Sequence, residues 1–186
     1  MFSKDSIIGV VGSGAMGSGI AQVAATAGHK TIIYDTNATA LEKSKNNLSN
    51  SLNKLVEKQK LTTEKAQNIL SLTSFTSTIQ DFKSCDLIIE AIVENIDIKQ
   101  SVFKELESIT SDKCVLASNT SSLSITSIAS ACNKPEKVIG IHFFNPATLM
   151  PLVEIIPGVA TDLETAKQCQ LLIDSWGKVT VMAKDT

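Results

Sequence analysis

The sequence of 186 residues is 43% hydrophobic and 19% charged, a composition typical of one globular domain and not of a disordered chain. Its formal net charge of -2 at pH 7 offers no broad cationic surface, which argues against nucleic acid and anionic membranes as partners. All 17 basic residues are lysine, so any phosphate group must be bound by backbone N–H groups and lysine ammonium groups.

The uncharged stretch 6–28 has the length of a membrane span. It contains six glycines, which cluster between a β-branched run and an alanine-rich run, where a turn between a strand and a helix is expected. We therefore interpret it as a strand, a turn and a helix of a protein without a membrane-spanning segment.

The four cysteines are widely spaced, with no CxxC pair and no histidine nearby. This spacing supports neither a zinc site nor a disulfide framework, so no metal is predicted. We expect reduced, mostly buried thiols in a cytoplasmic protein at Cys85, Cys114, Cys132 and Cys169.

The first part of the chain alternates short β-branched runs with alanine-rich or amphipathic segments, a pattern that predicts buried strands followed by helices. In chain order, the predicted elements are a strand at 7–11, a turn at 12–17, a helix at 15–27, a strand at 31–34, a helix at 38–60 and a short helix with Thr63 as its N-cap.

The same alternation continues to the end of the chain. The predicted elements are a strand at 87–90, a helix at 98–109, a strand at 114–117, a helix at 124–131, strands at 138–141 and 152–156, a helix at 163–176 and a strand at 179–182. We predict an α/β fold, a doubly wound and mostly parallel sheet with helices on both faces and a helical excursion after the second strand. In such sheets, ligands bind outside the carboxyl ends of the strands.

A GxGxxG motif fills the first turn, between a predicted strand and a predicted helix. That context is typical of a Rossmann dinucleotide site, in which the helix N-terminus binds the pyrophosphate. A glycine-rich turn without a ligand is the alternative. The predicted cofactor-binding residues are Gly12, Ser13, Gly14, Ala15, Met16 and Gly17.

Asp35 ends the second predicted strand, 23 positions after Gly12. Its carboxylate could accept hydrogen bonds from the ribose hydroxyls of an adenosine. A 2′-phosphate would meet the same negative charge, so NAD is favoured over NADP. The alternative is a solvated acid in a turn.

Four motifs in order make the chain resemble the 3-hydroxyacyl-CoA dehydrogenase family. They are EAIVEN at 90–95, ASNTSSL at 117–123, GIHFFNP at 140–146 and MPLVE at 150–154. The resemblance implies NAD as cofactor, an acyl-CoA as substrate and a role in fatty-acid oxidation or butanoate metabolism.

The resemblance also implies roles for individual residues. His142 matches the family's catalytic base, Glu154 its carboxylate partner, and Ser121 a serine that contacts both substrate and nicotinamide. A histidine suits the removal of a hydroxyl proton because its ordinary pKa lies near neutrality. The matches to cofactor contacts are Glu94, Lys99 and Asn145, and those to coenzyme A contacts are Ser51 and Lys58.

In this family a helical second domain follows, which carries the dimer interface and part of the substrate site. We therefore expect 1–186 to be an NAD-binding Rossmann domain without that second domain, inactive or nearly so alone, with the complete enzyme a homodimer. A sugar-acid dehydrogenase and a non-catalytic nucleotide-binding module are the alternative functions. His29 is predicted to lie on the surface, and Phe143 and Phe144 in the core.

Overall fold

A computed structural model describes residues 2–185, which form one eight-stranded sheet with helices on both faces. The strands are β1 (Ile8–Val11), β2 (Thr31–Tyr34), β3 (Thr73–Thr76), β4 (Leu87–Glu90), β5 (Val115–Ser118), β6 (Val138–Phe143), β7 (Leu152–Pro157) and β8 (Val179–Met182). The order across the sheet is β3-β2-β1-β4-β5-β6-β7-β8.

The central strands β1, β4 and β5 are buried along their whole length, because helices cover both of their faces. Each pairs in parallel with its neighbours, and the one antiparallel pair among the described strands is β6 with β7. The sheet is therefore mostly parallel, as predicted, and β8 returns to the parallel direction beside β7.

Within residues 2–185, six α-helices flank the sheet and divide its core into two layers. They are α1 (Ala15–Thr26), α2 (Ala38–Glu57), α3 (Thr63–Leu72), α4 (Ile96–Ile109), α5 (Ile125–Ala129) and α6 (Leu163–Ser175). Along β4, Leu87 and Ile89 pack on one side with α1 and α6, and Ile88 packs on the other with α4 and α5.

The predicted helical excursion after the second strand consists of α2 and α3, which bury Leu48, Leu52 and Ile69 against Ala25 of α1. The side chain of Thr62 caps α3, so the predicted N-cap at Thr63 is wrong by one residue. No helix in the described part of the chain is long and apolar enough to cross a membrane.

Two local structures between α3 and β4 are absent from the sequence prediction. β3 has the sequence Thr-Ser-Phe-Thr, which lacks a clear apolar run, and it pairs as an edge strand with β2 alone. A short 3₁₀ helix (Ile79–Ser84) follows and buries Ile79 and Phe82.

The prediction that His29 lies on the surface is wrong. Its side chain is buried, with 4% of its area exposed, and Nδ1 lies 3.0 Å from the backbone oxygen of Ser6. The ring also packs against Trp176, with centroids 5.7 Å apart. The imidazole thus joins the N-terminal segment to the end of α6, which sequence spacing does not reveal.

All four cysteines are free thiols, and three of them are buried. Burial raises the pKa of Cys114 and of Cys169 to about 12, and that of the half-buried Cys132 to about 11. Burial also raises the pKa of the Cys85 thiol. Thiols in this state are poor nucleophiles at neutral pH.

Candidate functional site

The GxGxxG turn joins β1 to α1 so tightly that two of its glycines cannot carry a side chain. Gly12 has φ of +100°, and a Cβ there would lie 2.7 Å from the backbone oxygen of Ala91. A Cβ on Gly17 would lie 1.9 Å from the backbone oxygen of Gly12. These contacts set the close packing of the helix on the strand that the motif predicts.

Gly14 differs, because a Cβ there would meet no atom within 4 Å. It is the N-cap of α1 and offers no side chain to the N–H groups of the first turn. Those N–H groups remain available to an anion, whose negative charge the helix dipole favours. The open space above Gly14 therefore fits a pyrophosphate.

Asp35 follows the end of β2 and is fixed by hydrogen bonds. Its Oδ2 accepts from the backbone N–H of Ser13 at 2.9 Å and from the hydroxyl of Ser13 at 2.7 Å, and Oδ1 accepts from the N–H of Asn37 at 3.0 Å. Partial burial opposes ionisation, but these hydrogen bonds outweigh it and lower the pKa of Asp35. The carboxylate is thus ionised, oriented and able to accept further hydrogen bonds.

His142 and Glu154 lie directly opposite each other on the antiparallel strands β6 and β7. Opposite residues of such a pair project from the same face, and here Nδ1 of His142 lies 2.8 Å from Oε2 of Glu154. An ionised carboxylate can only accept, so Nδ1–H donates and Nε2 of the neutral ring is left as an acceptor. The strand extends to Phe143, so His142 is its penultimate residue.

His142 opens into a cavity of about 300 Å³ at the carboxyl ends of β4, β5 and β6. Glu154 does not line this cavity and lies behind the imidazole. Of the predicted site residues, the cavity brings together Met16, Glu94, Lys99, Ser121, His142 and Asn145.

Phe144 also lines the cavity, so its predicted core position is wrong, whereas Phe143 is buried as predicted. Phe144 follows the last residue of β6 and is half-buried, with its ring centroid 4.6 Å from that of His142. Its ring therefore restricts the orientation of the imidazole and gives one wall of the cavity an apolar surface.

Sequence reasoning also missed the role of Asn119, which lines the same cavity. Its Oδ1 accepts a 2.8 Å hydrogen bond from the N–H of Phe143, and its own N–H donates to the backbone oxygen of Glu90. The residue thus joins the ends of β4, β5 and β6. The only sequence signal was its position within the Ser-Asn-Thr-Ser-Ser run.

Lys99 is almost fully buried, with 1% of its area exposed, and its ammonium contacts two carboxylates. The distances from Nζ are 2.7 Å to Glu90 and 2.9 Å to Glu94. The other oxygen of Glu94 accepts from the Thr120 hydroxyl at 2.7 Å and from the N–H of Ser121 at 3.0 Å. Burial opposes ionisation of Glu94, but the bonds from Thr120, Lys99 and Ser121 lower its pKa overall.

A second cavity of about 520 Å³ lies between α1 and α2. Ser13, Gly14, Ala15 and the predicted coenzyme A contact Ser51 line it. Ala15 and Pro146 line this larger cavity, and their sequence neighbours Met16 and Asn145 line the smaller one. The two cavities therefore adjoin.

Lys58, the other predicted coenzyme A contact, lines neither cavity. It is exposed and caps the C-terminus of α2, seven residues beyond Ser51 and therefore two turns further on the same helix face. Among residues 2–185, no three His, Cys, Asp or Glu side chains are grouped to hold a metal ion.

Comparison with known proteins identifies similar chains. Residues 7–186 match the family described as 3-hydroxyacyl-CoA dehydrogenase, NAD binding domain. A probable 3-hydroxybutyryl-CoA dehydrogenase of Deinococcus radiodurans is 45% identical over 177 residues, covering 95% of this chain and 63% of that protein. The 3-hydroxybutyryl-CoA dehydrogenase of Clostridioides difficile is 45% identical over 174 residues, covering 94% and 62%.

Among solved structures, 3-hydroxybutyryl-CoA dehydrogenase from Escherichia coli K12 superposes with a TM-score of 0.96 at 40% identity. The match covers 98% of this chain and 39% of that one. The predicted fold class is confirmed by this likeness, and NAD as cofactor by the family match. The chain spans about three fifths of the length of these two curated relatives.

Proposed function

Because this chain belongs to the 3-hydroxyacyl-CoA dehydrogenase family, matching its NAD-binding domain over residues 7–186, we propose that it forms the cofactor-binding part of an enzyme that oxidises short-chain (S)-3-hydroxyacyl-CoA to 3-oxoacyl-CoA, or catalyses the reverse. The proposed substrate is 3-hydroxybutyryl-CoA, which the two curated relatives are named for. The observation that carries the proposal is the His142–Glu154 pair, whose imidazole lines the same cavity as Ser121.

In this proposal, His142 Nε2 accepts the proton of the substrate hydroxyl during oxidation. Glu154, 2.8 Å from Nδ1, holds the ring in the required tautomer and stabilises the imidazolium that forms. A positioned base of this kind contributes about 10²–10⁴-fold to a rate. NAD, when bound, supplies the acceptor for the hydride that leaves the same carbon.

Ser121 is proposed to donate its hydroxyl hydrogen to the substrate oxygen. Its backbone is held at the cavity by the Glu94 carboxylate, which accepts the N–H of Ser121, so this contact does not use the hydroxyl. Asn145 lines the same cavity, its neighbour Pro146 lines the larger one, and Asn145 is proposed as a cofactor contact.

The acyl-CoA is proposed to enter along the cavity between α1 and α2. Ser51 lies on its wall, Lys43 lines it as well, and Lys58 extends the same face of α2 towards solvent. Two lysines along one route could neutralise the phosphates of coenzyme A in a chain that contains no arginine.

We further propose that turnover and homodimer formation in the cytoplasm require a helical domain in addition to these residues, as the length of the relatives suggests. Three exposed apolar side chains of the edge strand β8 support a surface for such a domain: Val179, Val181 and Met182.

The test compares variants of the natural protein during acetoacetyl-CoA reduction, followed by NADH absorbance. His142→Gln should lose most of its kcat while its NADH affinity stays unchanged, because the imidazole acts on the substrate proton. Ser121→Ala should lower kcat, whereas the matched Ser122→Ala, outside the cavity lining, should not.

Three outcomes would contradict the proposal. Full activity of His142→Gln would remove the base from the mechanism. Equal rates on acetoacetyl-CoA and on free acetoacetate would favour a hydroxyacid dehydrogenase without coenzyme A. A wild-type protein that does not bind NADH would refute the cofactor site itself.

A further inference from the structure

Glu90, the last residue of β4, is a carboxylate with no exposed surface at the floor of the candidate active site. Its Oε1 accepts hydrogen bonds of 2.7 Å from the Lys99 ammonium and from the N–H of Ile92. Its Oε2 accepts a 2.7 Å bond from the hydroxyl of Ser118, at the end of β5. A buried carboxylate needs such partners, and two of them, Lys99 and Ile92, also line the cavity.

The contacts of Glu90 continue towards the cavity through Lys99. The ammonium that Glu90 holds also contacts Glu94 at 2.9 Å, and Glu94 in turn holds the N–H of Ser121. Glu94 is the exposed end of this chain of contacts, and Glu90 is its buried end. The position of Ser121 therefore depends on a series of three charged groups.

We propose that Glu90 is a positioning residue of the active site, which fixes Lys99 and, through Lys99 and Glu94, the Ser121 backbone beside the nicotinamide. The inference rests on the proposed function, because it concerns the same cavity. A lysine has a long, flexible side chain, and the two carboxylates of Glu90 and Glu94 together keep the Lys99 ammonium in one position. Without the Glu90 charge, Lys99 and Glu94 would still form a neutral ion pair, so the protein can fold, but the pair would lose its attachment to the sheet.

The first experiment titrates Glu90→Gln with NADH and with ADP-ribose. ADP-ribose reaches the GxGxxG turn and Asp35 but has no nicotinamide. The dissociation constant for NADH should rise about tenfold, the change that 1.4 kcal/mol produces, whereas that for ADP-ribose should stay within about twofold. A merely structural role would weaken both ligands alike or neither.

Glu107→Gln is the matched control. Glu107 is a half-buried acid that, like Glu90, accepts several hydrogen bonds, but its partners are the backbone and side chain of Asn133 and the N–H of Lys134, away from the cavity. This variant should bind NADH and ADP-ribose as the wild type does.

The double variant Glu90→Gln, Lys99→Met removes one positive and one negative charge together and tests the same link if the single variant does not fold. It should bind ADP-ribose normally and NADH about tenfold more weakly, because Glu94 loses its contact with Lys99 and keeps only those with Thr120 and Ser121. Unchanged NADH affinity in either variant, or equal weakening of the two ligands, would overturn the inference. A wild-type protein that binds ADP-ribose but not NADH would instead refute the proposed function.

Discussion

Gly14 and Gly17, three residues apart in the same motif, should both lose NADH affinity when changed to alanine, but the loss of stability should be larger at Gly17. At Gly17 the new Cβ would lie 1.9 Å from the backbone oxygen of Gly12, and a shift of about 1.1 Å is needed to bring that contact to 3.0 Å. A backbone carbonyl cannot rotate away as a side chain can, so α1 itself must move. At Gly14 the Cβ would meet nothing within 4 Å and would enter only the space proposed for the pyrophosphate.

The magnitudes follow from these contacts. Overpacking in a close-packed interior typically costs about 1–3 kcal/mol, and about 1 kcal/mol lowers the melting temperature of a domain of this size by about 2–4 °C. Gly17→Ala should therefore melt about 2–12 °C below the wild type. Gly14→Ala should melt at most about 4 °C below it, because its Cβ meets no atom and only the poorer N-cap preference of alanine, about 1 kcal/mol, acts against the fold.

The assay combines thermal unfolding of the ligand-free protein with NADH titration. Both variants should bind NADH at least about tenfold more weakly, Gly17→Ala through displaced structure and Gly14→Ala through occupied space. A Gly17→Ala protein as stable as the wild type, or a Gly14→Ala protein that binds NADH normally, would refute the reading of this turn as a pyrophosphate cradle.

Two further predictions concern carboxylates whose hydrogen bonds lower their pKa. Asp35→Asn should weaken NADH binding by about tenfold and NADPH binding less, because the ribose loses a charged acceptor while the repulsion of a 2′-phosphate disappears; competitive titration measures the ratio. Burial opposes ionisation of Asp185, but hydrogen bonds from Thr126, Ile125 and Ser124 lower its pKa. The stability that the ionised carboxylate contributes is therefore fully present above the ordinary aspartate pKa. It is lost as the pH falls through the lower pKa that Asp185 has in the folded protein. Melting temperatures measured between neutral and acid pH should therefore fall less for Asp185→Asn than for the wild type; an equal fall in both would contradict this.

Sequence patterns predicted the elements that have a clear apolar pattern or that are bounded by glycine-rich turns. The apolar run before the GxGxxG turn required a buried strand, and the Gly12 and Gly17 contacts confirm the tight turn after it. β3 escaped prediction because an edge strand of four residues needs only one apolar side chain, Phe75, and that leaves no pattern to detect.

Residues whose environment depends on distant segments were the ones misjudged or missed. His29 is buried because Trp176, far along the chain, covers it. Glu90 belongs to the EAIVEN motif but was assigned no role, because nothing in a linear sequence shows that its carboxylate faces Lys99 and Ser118 rather than water. Phe144 was placed in the core from hydrophobicity alone, although the strand ends one residue earlier and leaves its ring at the cavity.

The pairing of His142 with Glu154 follows from the short connection between the two strands that carry them. Only residues 144–151 connect β6 to β7, and a connection of eight residues is too short for the crossover that a parallel pair requires. β7 must therefore return antiparallel, and a turn centred at 148 places residue 142 opposite residue 154. A register shift of one residue would turn Glu154 to the other face of the sheet and separate it from the imidazole. The reversal of strand direction at β7 is thus what brings an acid beside the histidine.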